Sequence, residues 1–337
     1  MLGLIAIACV IAGGLTWKHI RQRCWWDKTF AKSELVEVRK VSFKNRYGIK
    51  LVGDLYMPKT RDGKPMSAIA VAGPFGAVKE QASGLYAMKL AEAGFVTLAF
   101  DPSYTGESGG SPRAVASPEI NTEDFSAAVD FLSLQPEVDA EKIGVVGICG
   151  FGGFALNAAA ADTRIKATVT ATMYDMTRVS ARGYFDAMDE VQRQQLLRGL
   201  NAQRTEDAKR GKYAKDSGLP EKLSGDEPQF VKDYYDYYKT QRGFHKRSIN
   251  SNGAWNKTTK LALINMPILA FAGSITTPVL LIHGKDAHSL YFSQDAYKKL
   301  KGKNKKLLVV RRANHTDLYD NLEKIPFAEM VEFFKAM

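Results

Sequence analysis

From residue 35 onward the hydrophobic positions follow two different periods. Residues 37–43 alternate apolar and polar side chains, and residues 49–57 do so again after the turn Asn45-Arg46-Tyr47-Gly48. A period of two on both sides of a turn predicts an antiparallel pair of strands. Beyond it the alternation gives way to continuous apolar runs at 67–72, 95–100, 143–146 and 165–171, separated by longer stretches of helical period at 80–93, 121–134 and 150–161. Apolar runs without a polar face belong to strands buried on both sides, so the pattern predicts a mostly parallel sheet covered by helices on both faces. The rhythm breaks over 174–265, which is rich in Arg, Lys, Gln and Glu. This stretch carries a predicted helix over 186–212, a Gly218-Leu219-Pro220 break and the tyrosines Tyr234, Tyr235, Tyr237 and Tyr238. It then resumes with strands at 277–283 and 306–311 and helices at 293–300 and 325–336. The expected architecture is an α/β core of eight strands over 35–173 and 266–337, with 174–265 inserted as a helical cap. The tyrosines of the cap read as helix-packing surface rather than substrate contacts.

Composition adds little to the fold but narrows the function. A chain of 337 residues with 45% hydrophobic content can bury one large core plus an insertion. The formal charge of +11 is spread along the chain, denser at 18–28, 192–215 and 298–312, with no aromatic-interleaved basic face and no nucleic-acid motif. A nucleic-acid partner is therefore not expected; solvated surface or an anionic membrane accounts for the charge. Residues 2–16 carry no charged side chain. As a helix they would reach about 22 Å, short of the roughly 30 Å hydrocarbon layer. The cluster Lys18, His19, Arg21 and Arg23, flanked by Trp17, Trp25 and Trp26, suits interfacial anchoring with the basic side in the cytoplasm. Residues 1–30 are thus expected to form an uncleaved anchor and juxtamembrane segment, with the catalytic body cytoplasmic. Export is the alternative, because Ala6-Ile7-Ala8 before Cys9 resembles a cleavage site, although the apolar core before it is short.

Cys9, Cys24 and Cys149 are too few and too scattered for a disulfide framework or metal cluster. Cys149 stands in Gly147-Ile148-Cys149-Gly150-Phe151-Gly152-Gly153, between an apolar strand and an Ala-rich helix. Strand, tight glycine turn and helix form the context of a nucleophile elbow, which lifts the side chain off the sheet and toward the positive end of the helix. A thiol attacking a carbonyl needs a base and a group to orient that base. His315 follows the last strand directly and is the expected base. Asp286, in the His283-Gly284-Lys285-Asp286-Ala287-His288 loop after the preceding strand, is the expected acid, with Asp175 as the alternative. The order nucleophile, acid, base is that of α/β-hydrolases. Two backbone N–H groups should hold the developing oxyanion: Gly150, and either Phe75 or Gly76 in the loop after the first parallel strand.

These motifs carry a family resemblance. Val78-Lys79-Glu80-Gln81 with Gly84-Leu85-Tyr86, Ala99-Phe100-Asp101 followed by Tyr104-Thr105-Gly106-Glu107-Ser108, Gly147-Ile148-Cys149, Ala287-His288-Ser289 with Tyr291-Phe292-Ser293, and His315 with Leu318-Tyr319-Asp320 are similar to landmarks of the α/β-hydrolase superfamily. Within it the chain resembles the dienelactone hydrolase-like and Xaa-Pro-peptidase-like group, which includes bacterial uncharacterised hydrolases and fungal polyketide transferases. The resemblance runs from about residue 35 to the end. It implies the α/β-hydrolase fold, a thiol nucleophile at Cys149, a base at His315, and cleavage or transfer of an ester, lactone or thioester acyl group from a small-molecule substrate. Phe151 departs from the pattern, which has a small residue two places after the nucleophile; it should crowd the elbow or line the acyl pocket. No cofactor is expected, since neither a metal-ligand spacing nor a dinucleotide fingerprint is present. Non-catalytic ligand binding under the cap and peptidase activity are the competing expectations.

Overall fold

The computed structural model describes residues 26–337. Strands β1 (Val36–Lys44) and β2 (Lys50–Pro58) form the antiparallel start, joined at the turn that Asn45 closes by accepting from the N–H groups of Tyr47 and Ile49. Then β3 (Met66–Ala72), β4 (Val96–Asp101), β5 (Val138–Ile148), β6 (Ile165–Ala171), β7 (Val279–Gly284) and β8 (Lys305–Val310) complete a sheet in the order β1-β2-β4-β3-β5-β6-β7-β8. All pairings after β2–β4 are parallel.

Alternation along the buried strands sends neighbours to opposite faces. Ile69, Val71, Val146, Ile148 and Val169 pack in one layer with Tyr86 and Leu90 of α1 (Ala82–Glu92) and, further along the chain, Met330 and Phe334. Ala68, Ala70 and Val145 pack on the other side with Phe125 of α2 (Pro118–Ser133) and Phe154 of α3 (Gly150–Ala161). The small residues of β3 let helices approach closely on both faces.

Strand β5 begins at Val138, five residues before the expected run. Its first half, Asp139 to Lys142, is polar and partly exposed, so hydrophobicity does not mark it; a register shift between Met66 and Ala68 absorbs the irregularity. The insertion contributes α4 (Met176–Arg182), α5 (Glu190–Arg210), α6 (Gln229–Lys239) and the single turn α7 (Lys260–Leu263). Helix α5 matches the expected 186–212 helix but starts later, because Asp189 and Gln192 form a capping box, and it stops at Gly211 at φ +63°. After β7 come α8 (Leu290–Lys299), the short α9 (Asp317–Asp320) and α10 (Phe327–Lys335).

The expected anchor over residues 2–16 lies outside the described residues, and among the described residues no helix is long and apolar enough to cross a membrane. The last residues of the expected juxtamembrane segment, from Trp26 to Phe30, instead dock on the body. Lys28 pairs with buried Asp54 at 2.6 Å, Asp27 with Arg247 of the insertion at 2.9 Å, and the Thr29 N–H donates to Glu80 O at 2.9 Å.

Candidate active site

The turn from β5 to α3 places Cys149 at φ +54°, ψ −125°. Non-glycine residues avoid this region, and holding one there costs on the order of 1–3 kcal/mol that the surrounding packing must supply. The packing is close enough to do so. Gly150 lies so near the neighbouring loop that a Cβ there would meet Phe75 Cβ at 2.7 Å and Met176 Cγ at 2.8 Å. Gly73, at φ +103°, lies against Ile148 O, where a Cβ would stand at 2.2 Å. Phe151 turns away from the thiol. It is buried against Phe125 and Phe154, with ring centroids 6.3 and 5.1 Å away, and takes no part in lining the cavity above Cys149. The expected crowding of the elbow does not arise, because α3 directs this side chain into the core.

The backbone N–H groups of Phe75 and Gly150 lie close enough to the Cys149 thiol to pull its pKa down. The other expected donor residue, Gly76, is held through its carbonyl, which accepts from Ser248 Oγ at 2.9 Å and from the Asn250 N–H. Asn250 also donates its Nδ2 to Phe75 O at 2.8 Å, and Trp255 stacks on the Phe75 ring at 4.2 Å. The insertion thus holds Phe75 by its carbonyl and its ring, adjacent to the peptide that carries the Phe75 N–H. Sequence reasoning gave Asn250 and Trp255 no role, because nothing near them in the chain links them to Phe75.

His315, 1% exposed, occupies the loop after β8. Its Nε2 lies 3.1 Å from the hydroxyl of Tyr319, one helical turn on, and the same hydroxyl meets the Cys149 thiol. Its Nδ1 lies 2.6 Å from Ser289 Oγ and 2.9 Å from Thr172 Oγ1. Neither expected acid is there. Asp286 is exposed, and its N–H donates to Ala313 O at 2.9 Å. The loop turns the side chain outward and brings Ser289, three residues later, to the histidine. Asp175 is buried but caps α4, accepting from the Thr177 and Arg178 N–H groups and from Thr177 Oγ1.

Burial pushes the Cys149 thiol up, against the opposing pull of the Tyr319 hydroxyl and the Phe75 and Gly150 N–H groups. Burial pushes His315 well below the ordinary imidazole value, and His288 and His283 add to the shift. Thiol and imidazole are both neutral at neutral pH. Burial likewise lowers His288 to about 4 and His283 to about 3. Among the described residues no group of three or more His, Cys, Asp or Glu side chains is placed to hold a metal ion.

Above the thiol lies a cavity of about 180 Å³. The core supplies Phe75 and Tyr319 to its wall, and the insertion supplies Tyr174, Met176, Val179, Tyr184, Leu219, Tyr234, Tyr238 and Asn250. None of the lining side chains is charged. Phe230, Tyr234 and Tyr238 recur every four residues and share one face of α6. Tyr234 and Tyr238 therefore reach the cavity, while Tyr237 packs on Tyr319 at 4.9 Å, so the packing role expected of the whole cluster holds for only part of it. Phe230 stacks on His288, whose Nε2 meets the Tyr174 hydroxyl.

Comparison with known proteins gives the fold and the family. An uncharacterized Pseudomonas aeruginosa protein, PA2218, is 59% identical over 310 residues, covering 92% of this chain and 83% of its own length. Its crystal structure superposes with a TM-score of 0.90, covering 92% of this chain and 97% of that one. A thiohydrolase of Aspergillus aculeatus, aneE, is 35% identical over 144 residues, 43% of this chain and 42% of its own. The α/β hydrolase GrgF from Penicillium shares the fold, with a TM-score of 0.73 at 20% identity over 89% of this chain and 98% of that one. The model of the S15 family of X-Pro dipeptidyl-peptidases matches residues 47–317. Peptidases of that family normally use serine where this elbow carries Cys149. With its open eight-stranded sheet and this match, the chain belongs to the S15 family, of the α/β-hydrolase superfamily.

Proposed function

We propose that this hydrolase-family protein cleaves or transfers an acyl group through a covalent intermediate on Cys149, with His315 as base and the N–H groups of Phe75 and Gly150 as the oxyanion hole. The observation that carries the reading is geometric: Cys149 stands at a strained strand-to-helix elbow, and the cavity it opens into is also lined by Phe75 and by Tyr319, whose hydroxyl meets His315 Nε2. As the sulfur attacks the carbonyl, its proton passes to the Tyr319 oxygen while the Tyr319 proton passes to His315 Nε2. The carbonyl π electrons move to oxygen, where the two N–H groups hold the negative charge; one such donor is worth about 3–4 kcal/mol of barrier. Collapse expels the leaving group, which takes the proton back. Water, or another acceptor, then attacks the acyl-thioester with His315 again serving as base.

The substrate class follows from the walls. A cavity of about 180 Å³ lined by tyrosines and apolar side chains suits a small, uncharged, unsaturated or aromatic acyl group, held in a thioester, activated ester or lactone. The name of the aneE relative, a thiohydrolase, favours the thioester. The family name raises a second reading, dipeptide release from a peptide. That reaction needs an anionic group for the substrate's free ammonium, and the cavity wall offers no carboxylate. The test is turnover by the full chain of short aliphatic and aromatic acyl-thioesters, aryl esters, a lactone and an X-Pro anilide. Thioester cleavage lost in Cys149→Ala is the expected result; cleavage of the anilide alone, or of nothing in the panel, contradicts the reading.

A further inference from the structure

The group that orients His315 is not a carboxylate. Ser289 Oγ lies 2.6 Å from His315 Nδ1 and 2.9 Å from His283 Nε2, and His283 Nδ1 lies 2.7 Å from Ser293 Oγ. Thr172 Oγ1 makes a parallel bridge, 2.9 Å from His315 Nδ1 and 3.5 Å from His283 Nε2. His283, Ser289, Ser293 and Thr172 are each 0% exposed. Thr172 adopts φ +46°, a conformation that a β-branched residue takes only when its surroundings impose it, and this places its hydroxyl between the two rings.

One proton arrangement satisfies the chain throughout. His315 Nδ1–H donates to Ser289 Oγ, Ser289 O–H donates to His283 Nε2, and His283 Nδ1–H donates to Ser293 Oγ. That leaves His315 Nε2 free to accept, which a base facing Tyr319 and Cys149 requires. The titratable groups around the His315 ring are Tyr174 after β6, Tyr234 of α6, His283 ending β7, His288 of the next loop, Tyr319 of α9 and Cys149. None is an acid with a carboxyl group. The acids that bracket Tyr319 are engaged outward, Asp317 with Lys324 at 2.7 Å and Asp320 with Arg242 at 2.6 Å.

We infer that Ser289 and His283, supported by Thr172, replace the acid of the triad: a hydroxyl–imidazole relay positions His315 and fixes its tautomer. When His315 takes the thiol proton the charge stays on its ring, where the Nδ1–H donated to Ser289 Oγ, itself polarised by its O–H bond to His283 Nε2, orients and stabilises it. Protons balance, and no group outside the chain takes part. Without a fixed negative charge beside the ring, no standing thiolate–imidazolium pair is built. The site therefore favours substrates whose leaving group departs as a stable anion, a thiolate above all, over alkyl esters and amides. This inference rests on the proposed role of Cys149 and His315 and names what supports them.

The test reads the thiol directly. Alkylation of Cys149 by iodoacetamide is followed by intact mass across pH in the full-length protein, alongside thioester turnover and thermal unfolding. Ser289→Ala and His283→Gln are expected to lower kcat/KM by about tenfold or more, with Asp286→Asn unchanged. Ser289→Asp puts a carboxylate against His315 Nδ1 and is expected to move the alkylation midpoint down by about one pH unit or more, because an imidazolium beside the thiol favours the thiolate. A merely packing serine would leave the pH profile of kcat/KM unmoved in Ser289→Ala, whereas the relay predicts a shift. Loss of activity in Asp286→Asn with Ser289→Ala at wild-type level overturns the inference, as does a folded Ser289→Asp whose alkylation profile is unmoved. Should His283→Gln fail to fold, the two Ser289 variants decide. Since alkylation needs no acyl substrate, shifted profiles without any turnover would leave the relay standing and remove the proposed activity instead.

Discussion

The two sides of the Cys149 site are built from different materials. On the oxyanion side the groups close to the sulfur are backbone N–H donors of Phe75 and Gly150, on residues held by the elbow, by the loop after β3 and by Asn250. On the base side every polar contact to His315 comes from a side chain: Tyr319, Ser289 and Thr172. The first side supplies positive potential without a full charge; the second supplies oriented neutral dipoles without a carboxylate. Under the proposed function, a site of this kind would stabilise the anion as it forms more than it strengthens the base beforehand, which suits an acyl group already activated by its leaving group.

The contrast can be broken from either side. The largest effect is expected at the nucleophile: Cys149→Ala should remove thioester turnover, down to the residual level that binding and the oxyanion donors alone supply. Next, Gly150→Ala drives a methyl into Phe75 Cβ and Met176 Cγ. Displacing the donors should lower kcat by roughly 100-fold with little change in KM, measured on the same thioester. Tyr319→Phe removes the hydroxyl between thiol and imidazole while keeping the ring against Tyr237. A loss of roughly 10- to 100-fold in kcat/KM is expected, and a change below about twofold would show that the proton bypasses it. Asn250→Ala removes the donor to Phe75 O and so frees the residue whose N–H is the proposed oxyanion donor, and a loss of about tenfold is expected, again mainly in kcat.

The smallest expected effect concerns stability. His288 and His283 are held neutral, at about 4 and about 3, whereas an unfolded chain titrates them near 6.5. Below about pH 6.5 the unfolded state therefore binds more protons, and these residues withdraw stability as the pH falls toward their folded values. Asp101 and Asp124, raised to about 6 by burial, act in the opposite direction. The clean comparison is between chains: His288→Phe, which can keep the stack on Phe230, should reduce the drop in unfolding free energy between about pH 7 and about pH 5 by on the order of 1 kcal/mol. Urea melts at the two pH values measure it.

The same contrast explains what the sequence disclosed. The elbow, the glycine loop after β3 and the strands themselves depend on local backbone demands, and these leave marks in the chain: glycines at close approaches, apolar runs of strand length, a histidine just after the last strand. The placement of Cys149 at the elbow and of His315 after the last strand was equally legible. The base side was misread because its members are ordinary hydroxyls. Asp286 sits in the expected loop and has the expected chemistry, yet the turn aims it at solvent and Ser289 inward, a difference of three residues that no periodicity records. Thr172 closes a strand whose apolar pattern hides the hydroxyl's role. A signal was available for the tyrosines, since Phe230, Tyr234 and Tyr238 repeat at four residues and mark one face of α6. Asn250 and Trp255 could not be placed, because only the folded insertion brings them to Phe75.

The most direct test of the account is to mix the full-length protein with a small aromatic acyl-thioester, quench in acid at early times, and read intact mass and the modified peptide. The account predicts a transient increase equal to the acyl group, located on Cys149, slowed in Tyr319→Phe and absent in Cys149→Ala. Turnover of the thioester with no adduct at any time, or with the acyl group on another residue, would contradict it.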